Sequence, residues 1–381
     1  MRIPVVDSGD KPLMPTQPSR ARKWLEQGKA VKRWSDTGLF YVQLVEAPSG
    51  TKTQPVVVGV DPGKLYSGIG VQSAKATLFM AHLVLPFETV KQRMAQRAMM
   101  RRTRRARRIN REVPFAERNH REQRFDNRIA RKVPPSIKAN RQLELRVVSE
   151  LCRILPVTKI VYEYVKARGN QGFSPVMVGQ RWAIEQLETL ASVVTQLGWK
   201  TANIRRHLGI EKASHKAEQS PAAHAMDGVA LAASEFVQYR QFHRRGADGG
   251  DWVGAVEMTA AVFRVIRRPS ICRRQLHLLQ FAKGGKRRNY GGTVTRHGFR
   301  KGDLVSAIKA GVEQIGWVSG DTAKQVSVSD INWKRLGQFT AAKVRLIKRS
   351  TGLLASGASS PTQPALIPHP AKNGGLSGKT R

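Results

Sequence analysis

Cysteine is nearly missing from this chain: its 381 residues include two, Cys152 and Cys272, and no Cys-x-x-Cys pair. That excludes a disulfide framework and a structural zinc ribbon. Acidic residues are scarce as well, 27 against 66 Lys and Arg, which leaves a formal charge of +39. No acid at all occurs between Glu257 and Asp303, a stretch that carries Arg267, Arg268, Arg273, Arg274, Lys286, Arg287, Arg288, Arg296, Arg300 and Lys301. Apolar runs of the ~18 residues needed to span a bilayer are absent, and so is a signal-peptide pattern. The expectation is therefore a cytoplasmic, nucleoid-associated prokaryotic protein with no membrane partner. No glycine-rich phosphate loop is spelled out.

What is present is arginine. Self-repulsion of this size calls for a polyanion, and nucleic acid is the natural counterpart, because guanidinium forks match phosphate oxygens and each neutralised phosphate releases counterions. Eight arginines and no acid lie between Arg97 and Arg111. At about 100° per residue, Arg93, Arg97, Arg101, Arg104, Arg108 and Arg111 form one helical stripe, with Ala95, Ala98, Met99, Ala106 and Ile109 opposite. Such a helix is expected to pack on protein with its apolar face and to hold phosphates with the other, Arg105 included.

A hydrophobic content of 40% supplies a core, and the length predicts about two to three modules. Residues 1–54 read as a small α/β module with a Pro-Leu-Met-Pro element (Pro12 to Pro15), a helix over 19–27 capped by Ser19 and stopped at Gly28, and a strand over 39–45. Three strands follow over 56–60, 66–71 and 77–85, the first ending in an Asp61-Pro62-Gly63 turn. The arginine-rich region, 91–133, interrupts this block. Beyond Pro134-Pro135 the pattern predicts a helix over 136–155, a buried strand over 159–165, a helix over 180–197, a strand over 199–204 and a helix from Pro221 to about 239, with Ser220 as N-cap. The order βββ, α, β, α, β, α is that of an α/β ribonuclease-H-like core, split into 55–90 and 134–250. Residues 251–350 read as a β-rich module facing nucleic acid, and 351–381 as a disordered tail.

Three carboxylates stand out. Asp61 closes the first core strand, Glu163 sits beside Ile160, Val161 and Tyr162 in an apolar strand where a bare charge is costly, and Asp227 lies on the last helix. In the expected fold they meet at one end of the sheet, as metal-assisted phosphodiester cleavage requires of hard oxygen ligands. His224 precedes Asp227 by three residues and shares its helix face, where it can take a proton from the attacking water. The expected catalytic set is thus Asp61, Glu163, His224 and Asp227, with the three acids holding two Mg²⁺ ions or Mn²⁺ in their place.

Pro-Leu-Met-Pro, Val-Gly-Val-Asp-Pro-Gly (58–63), the arginine helix, Ile-Val-Tyr-Glu (160–163) and His-Ala-Met-Asp (224–227) together resemble the transposon-encoded, RuvC-like, RNA-guided nucleases ancestral to the CRISPR type II effectors. The segments 273–277 and 282–294, with Arg273, Arg274, Lys286, Arg287 and Arg288, resemble the family's domain that reads the short motif beside the target. Glu163 and His224 are 61 positions apart (224 minus 163), too close to admit the HNH domain that two-nuclease relatives insert there. The chain therefore resembles the HNH-lacking IsrB group of OMEGA nickases. That resemblance implies a large non-coding guide RNA, a double-stranded DNA target with a flanking motif, nicking of the non-target strand and no obligate protein partner. An unguided RuvC-like junction resolvase or recombinase, and a non-catalytic RNA-binding protein, are the competing expectations.

Overall fold

The structure, a computed structural model, describes residues 1–106, 110, 112–117, 133–167, 174–210, 220–244, 247–270 and 294–357. The class is mixed α/β, as expected. The N-terminal module contains β1 (Ile3–Val6), β2 (Pro12–Thr16), α1 (Pro18–Glu26), β3 (Ala30–Trp34) and β4 (Phe40–Leu44), with the strands in one sheet of order β2-β1-β4-β3. The N-cap falls two residues earlier than expected: Gln17 takes that place and Pro18 is the first helical residue, so Ser19 lies inside the helix. Gly28 takes φ 70° and donates to Leu25 O, stopping the helix as expected.

The core begins with β5 (Val56–Pro62), β6 (Tyr66–Ser73) and β7 (Ala76–Val84), an antiparallel meander. Asp61 is not in the turn, as its Asp-Pro-Gly context predicted. It still pairs with Gly68, and Pro62 with Ser67, because the hairpin closes two residues later. Helix α2 (Phe87–Ala106) and α3 (Pro135–Ile154) follow, then β8 (Val157–Tyr164), which adds in parallel to β5, and α4 (Pro175–Leu187).

The next two elements correct the sequence reading. Residues 192–197, expected to be helical, form β9 (Ser192–Leu197), parallel to β8, because Val193, Val194 and Thr195 favour a pleated surface. Residues 199–204, expected to be a strand, belong to α5 (Gly198–His207), whose buried Thr201, Ile204 and Arg205 recur at helical spacing. Helix α6 (Pro221–Ala233) opens as predicted, with Ser220 accepting from Ala223 N, but ends before 239. The chain there becomes β10 (Gln238–Arg244), hairpinned with β11 (Ala247–Val253).

Strands β12 (Val262–Arg267), β13 (Leu304–Lys309), β14 (Val312–Asp321), β15 (Gln325–Ser329), β16 (Arg335–Thr340), β17 (Val344–Lys348) and β18 (Leu354–Gly357) complete the described chain. β13 to β17 form one five-stranded antiparallel sheet over 304–348, within the stretch 251–350 read as β-rich. β12 and β18, by contrast, join the core sheet, whose order is β18-β12-β7-β6-β5-β8-β9. The disordered tail expected over 351–381 is corrected at its start, where Leu354–Gly357 is a strand because it finds a partner in Arg264–Arg267. Residues 358–381 and the segments 273–277 and 282–293 lie outside the described residues.

Two layers cover this sheet. On one face Val58, Val60, Ile69 and Tyr162 pack with Leu143, Val147 and Leu151 of α3. Each such side chain contributes ~1.5–3 kcal/mol when fully buried. On the other face α6 lies almost directly on the backbone. A Cβ on Gly59 would fall 2.0 Å from Gly228 O, one on Gly68 1.7 Å from His224 O, and one on Gly70 2.2 Å from Val229 N, so only glycine fits at these three sheet positions. Val57 and Val161 meet Leu231 and Ala232 beside this contact.

The arginine helix packs differently from the predicted wheel. Ala95 and Met99 are exposed, whereas Met100 is buried and Arg93 half-buried. In the first half of α2, Val90 and Met94, apolar residues that the 95–109 pattern did not include, are partly buried alongside Arg93. Arg93 consequently lies on the packed side, lining a cavity of about 120 Å³ with Arg267 and Arg268.

Candidate active site

Strand register assembles the site. Val60 pairs with Tyr162, so the next residues, Asp61 and Glu163, sit side by side at the ends of adjacent parallel strands. Side chains alternate along a strand. Because Val60 and Tyr162 belong to the α3 face, Asp61 and Glu163 belong to the face under α6. That helix brings His224 over Gly68, the partner of Asp61, and carries Asp227 one turn further on. The four expected catalytic residues are therefore on one face at one end of the sheet, Asp61, Glu163 and His224 partly exposed and Asp227 buried.

Arg205, which sequence reasoning missed, reaches the site from α5. It forms an ion pair with Asp227, both side chains buried; it lies one residue past the strand expected over 199–204, and without the helix nothing in the sequence aimed it at the site. Gly198, at the start of the same helix, lies against Glu163: a Cβ there would be 3.0 Å from Oε1. Among the described residues, no three His, Cys, Asp or Glu side chains converge on a point able to hold a metal ion. The donor chemistry nevertheless suits a hard divalent cation, since Asp61, Glu163 and Asp227 offer only carboxylate oxygens. Arg205 supplies the positive charge at Asp227.

His224 is held by its own helix, with Nδ1 3.2 Å from Ser220 O. A proton on Nδ1 donated to that carbonyl makes Nε2 the basic nitrogen. Its ring packs against His82, centroids 5.0 Å apart, and Tyr66, 5.3 Å. His82, on β7, pairs with Gly68 of β6, is 3% exposed, and has no hydrogen-bond partner at Nδ1 among the described residues. Burial, reinforced by the neighbouring His224, lowers its pKa to about 4, so it is neutral at pH 7. Nothing in its strand pattern distinguished this histidine from a core residue.

The turn after Asp61 is fastened from the opposite face. Ser67 donates to Asp61 O at 2.7 Å, Asn140 to Lys64 O at 2.8 Å and Arg141 to Gly63 O at 3.0 Å. Arg141 also donates to Glu144, at 2.6 and 2.7 Å, and to the Tyr162 hydroxyl at 3.1 Å. Burial pushes the Glu144 carboxyl up against the pull of Arg141, and it pushes the Tyr162 hydroxyl up as well. Arg141 itself stays charged: burial opposes this, but Glu144 and Tyr162 outweigh it.

Of the expected nucleic-acid contacts, Arg97 and Arg101 are exposed on α2, and Arg104 and Arg105 occupy its last turn. Arg108, Arg111, Arg273, Arg274, Lys286, Arg287 and Arg288 lie outside the described residues.

Residues 3–172 match the family described as RRXRR protein. The matched stretch contains Arg101-Arg102-Thr103-Arg104-Arg105. No curated protein sequence matches the chain. Among solved structures, similarity is found to T. thermophilus RuvC in complex with Holliday junction substrate, at 14% identity over 47% of this chain and 90% of that one, with a TM-score of 0.26. A second Thermus thermophilus RuvC structure matches at 14% identity over 46% and 90%, TM-score 0.25.

Proposed function

We propose that this chain is a RuvC-type nuclease of the IsrB kind, an RNA-guided, Mg²⁺-dependent DNA nickase with one catalytic centre on a ribonuclease-H-like core. One observation carries the reading: strand register sets Asp61 beside Glu163 on the sheet face over which α6 presents His224 and Asp227. The RRXRR match, a domain typical of IsrB- and IscB-like proteins, supports the same assignment.

Asp61, Glu163 and Asp227 would hold the metal, with Mn²⁺ as a possible substitute. When bound, it supplies activation of a water and charge stabilisation at the leaving oxygen. His224 takes the water's proton at Nε2, a role worth about 10²–10⁴-fold. Arg205, paired with Asp227, fixes that carboxylate at the site, and Arg141 and Asn140 keep the Asp61 turn from moving away. Exposed Arg97 and Arg101 neutralise phosphates of a guide RNA or its heteroduplex, leaving sequence to base pairing. The described chain between Glu163 and His224 is occupied by α4, β9 and α5, which leaves no room for an inserted nuclease domain there.

The test is purification followed by strand-resolved cleavage. One discrete, abundant RNA should accompany the protein, and with a matching duplex only the displaced strand should be nicked. Cutting of both strands by the complex would refute the nickase. Cleavage of four-way junctions without RNA would make the chain an unguided resolvase.

A further inference from the structure

Trp199 is 48% exposed, yet its ring is not loose. It meets Tyr239 of β10 edge-on at 5.7 Å, and Tyr239 in turn meets buried Trp252 of β11 at 5.3 Å. Lys200 lies by the first two of these rings, its Nζ 5.6 Å from the Trp199 centroid and 4.7 Å from that of Tyr239. A single exposed aromatic is ordinary on a protein surface. This one differs in being held at an edge by a ladder of rings, which leaves part of its surface open with a cation alongside. It also follows Gly198, whose Cβ position is 3.0 Å from Glu163 Oε1. Helix α5 thus touches the centre through Gly198 and Arg205 and carries an open indole at the very next residue.

An open ring beside an ammonium group, in a chain of net charge +39, is what an unpaired nucleotide fits: the base stacks on the indole and the phosphate meets the lysine. A base inside a duplex is already stacked on both faces and cannot use it. We infer that Trp199 and Lys200, backed by Tyr239, form a stacking site for an unpaired nucleotide of the DNA strand being cut, next to the phosphate facing Glu163. The inference rests on the nuclease reading for the identity of that strand, and the platform selects single-stranded DNA over duplex at the cleft.

Binding can be measured without cleavage, using the full-length protein as purified, in EDTA. The probes are an oligothymidylate of about twelve nucleotides and a duplex of the same length. At roughly 1 M salt phosphate contacts are largely screened and stacking persists. Trp199→Ala should then weaken single-strand binding by roughly five- to a hundredfold and leave duplex binding unchanged, and Trp199→Phe should recover most of the loss. Unchanged single-strand affinity in the Ala variant would overturn the inference. So would an equal loss for single strand and duplex. Because no catalysis is involved, these outcomes are independent of whether Asp61→Ala abolishes cleavage.

Discussion

Arg205 of α5 and Asp227 of α6 form a buried ion pair at the end of the core sheet. Neither charge is tolerable there alone. Arg205→Met should therefore destabilise the metal-free protein by about 3–5 kcal/mol in urea denaturation, and a paired Arg205→Met, Asp227→Leu variant should lose far less than the sum of the single changes. Simple additivity would mean the pair contributes nothing.

The side-by-side placement of Asp61 and Glu163 leads to a second expectation. Asp61→Ala and Glu163→Ala should each remove cleavage to background while RNA and DNA affinities measured in EDTA remain within about twofold, since removing one partly exposed carboxylate in the absence of metal costs little stability. Near-normal nicking by either variant would show that the centre lies elsewhere.

Arg97 and Arg101 face solvent on α2, unlike Arg93. Replacing Arg97, Arg101, Arg104 and Arg108 with Gln should flatten the salt dependence of RNA binding by up to about four counterions' worth, with thermal stability preserved. Arg93→Gln, in the packed part of the helix, should instead lower stability. A slope identical to that of the unaltered protein would mean that this helix is only a solvated charged surface.

His82 supplies a pH signature. Its folded pKa of about 4 lies below the ordinary 6.5, so between these values the unfolded chain binds a proton that the folded chain refuses. Stability is full at neutral pH and falls as pH drops from about 6.5 toward 4. The loss from pH 7 to pH 5 comes to about 2 kcal/mol. His82→Phe, which keeps a ring against Tyr66 and His224, should remove that part of the pH dependence in denaturation curves. A variant with the full original slope would show that another group is responsible.

The residues proposed for chemistry were legible because each left a local mark: a carboxylate after a valine run, a carboxylate inside an apolar strand, a His and an Asp one helical turn apart. The helix and strand exchange at 192–207 was not legible, because the apolar run from α4 continues into β9 and only pairing with β8 tells the two apart. Arg205 vanished with that error. The membership of β12 and β18 in the core sheet is likewise set by partners far away in sequence, Phe79 to Val84 for β12 and Arg264 to Arg267 for β18. His82 carries no signal of its own, since its importance comes from the two rings it meets in space.

The glycine seat of α6 has a wider meaning for how this protein can change over time. Elsewhere in the core, side chains separate the layers, and one bulky residue can trade for another as neighbours repack. At the glycines under α6 there is no such cushion: backbone rests on backbone at Gly59, Gly68, Gly70 and Gly228. The height of His224 and Asp227 above Asp61 and Glu163 is therefore set by peptide geometry. Substitutions in the α3 layer can accumulate without detuning that spacing, whereas even one methyl group at Gly68 or Gly70 would lift the helix and both of its functional groups together.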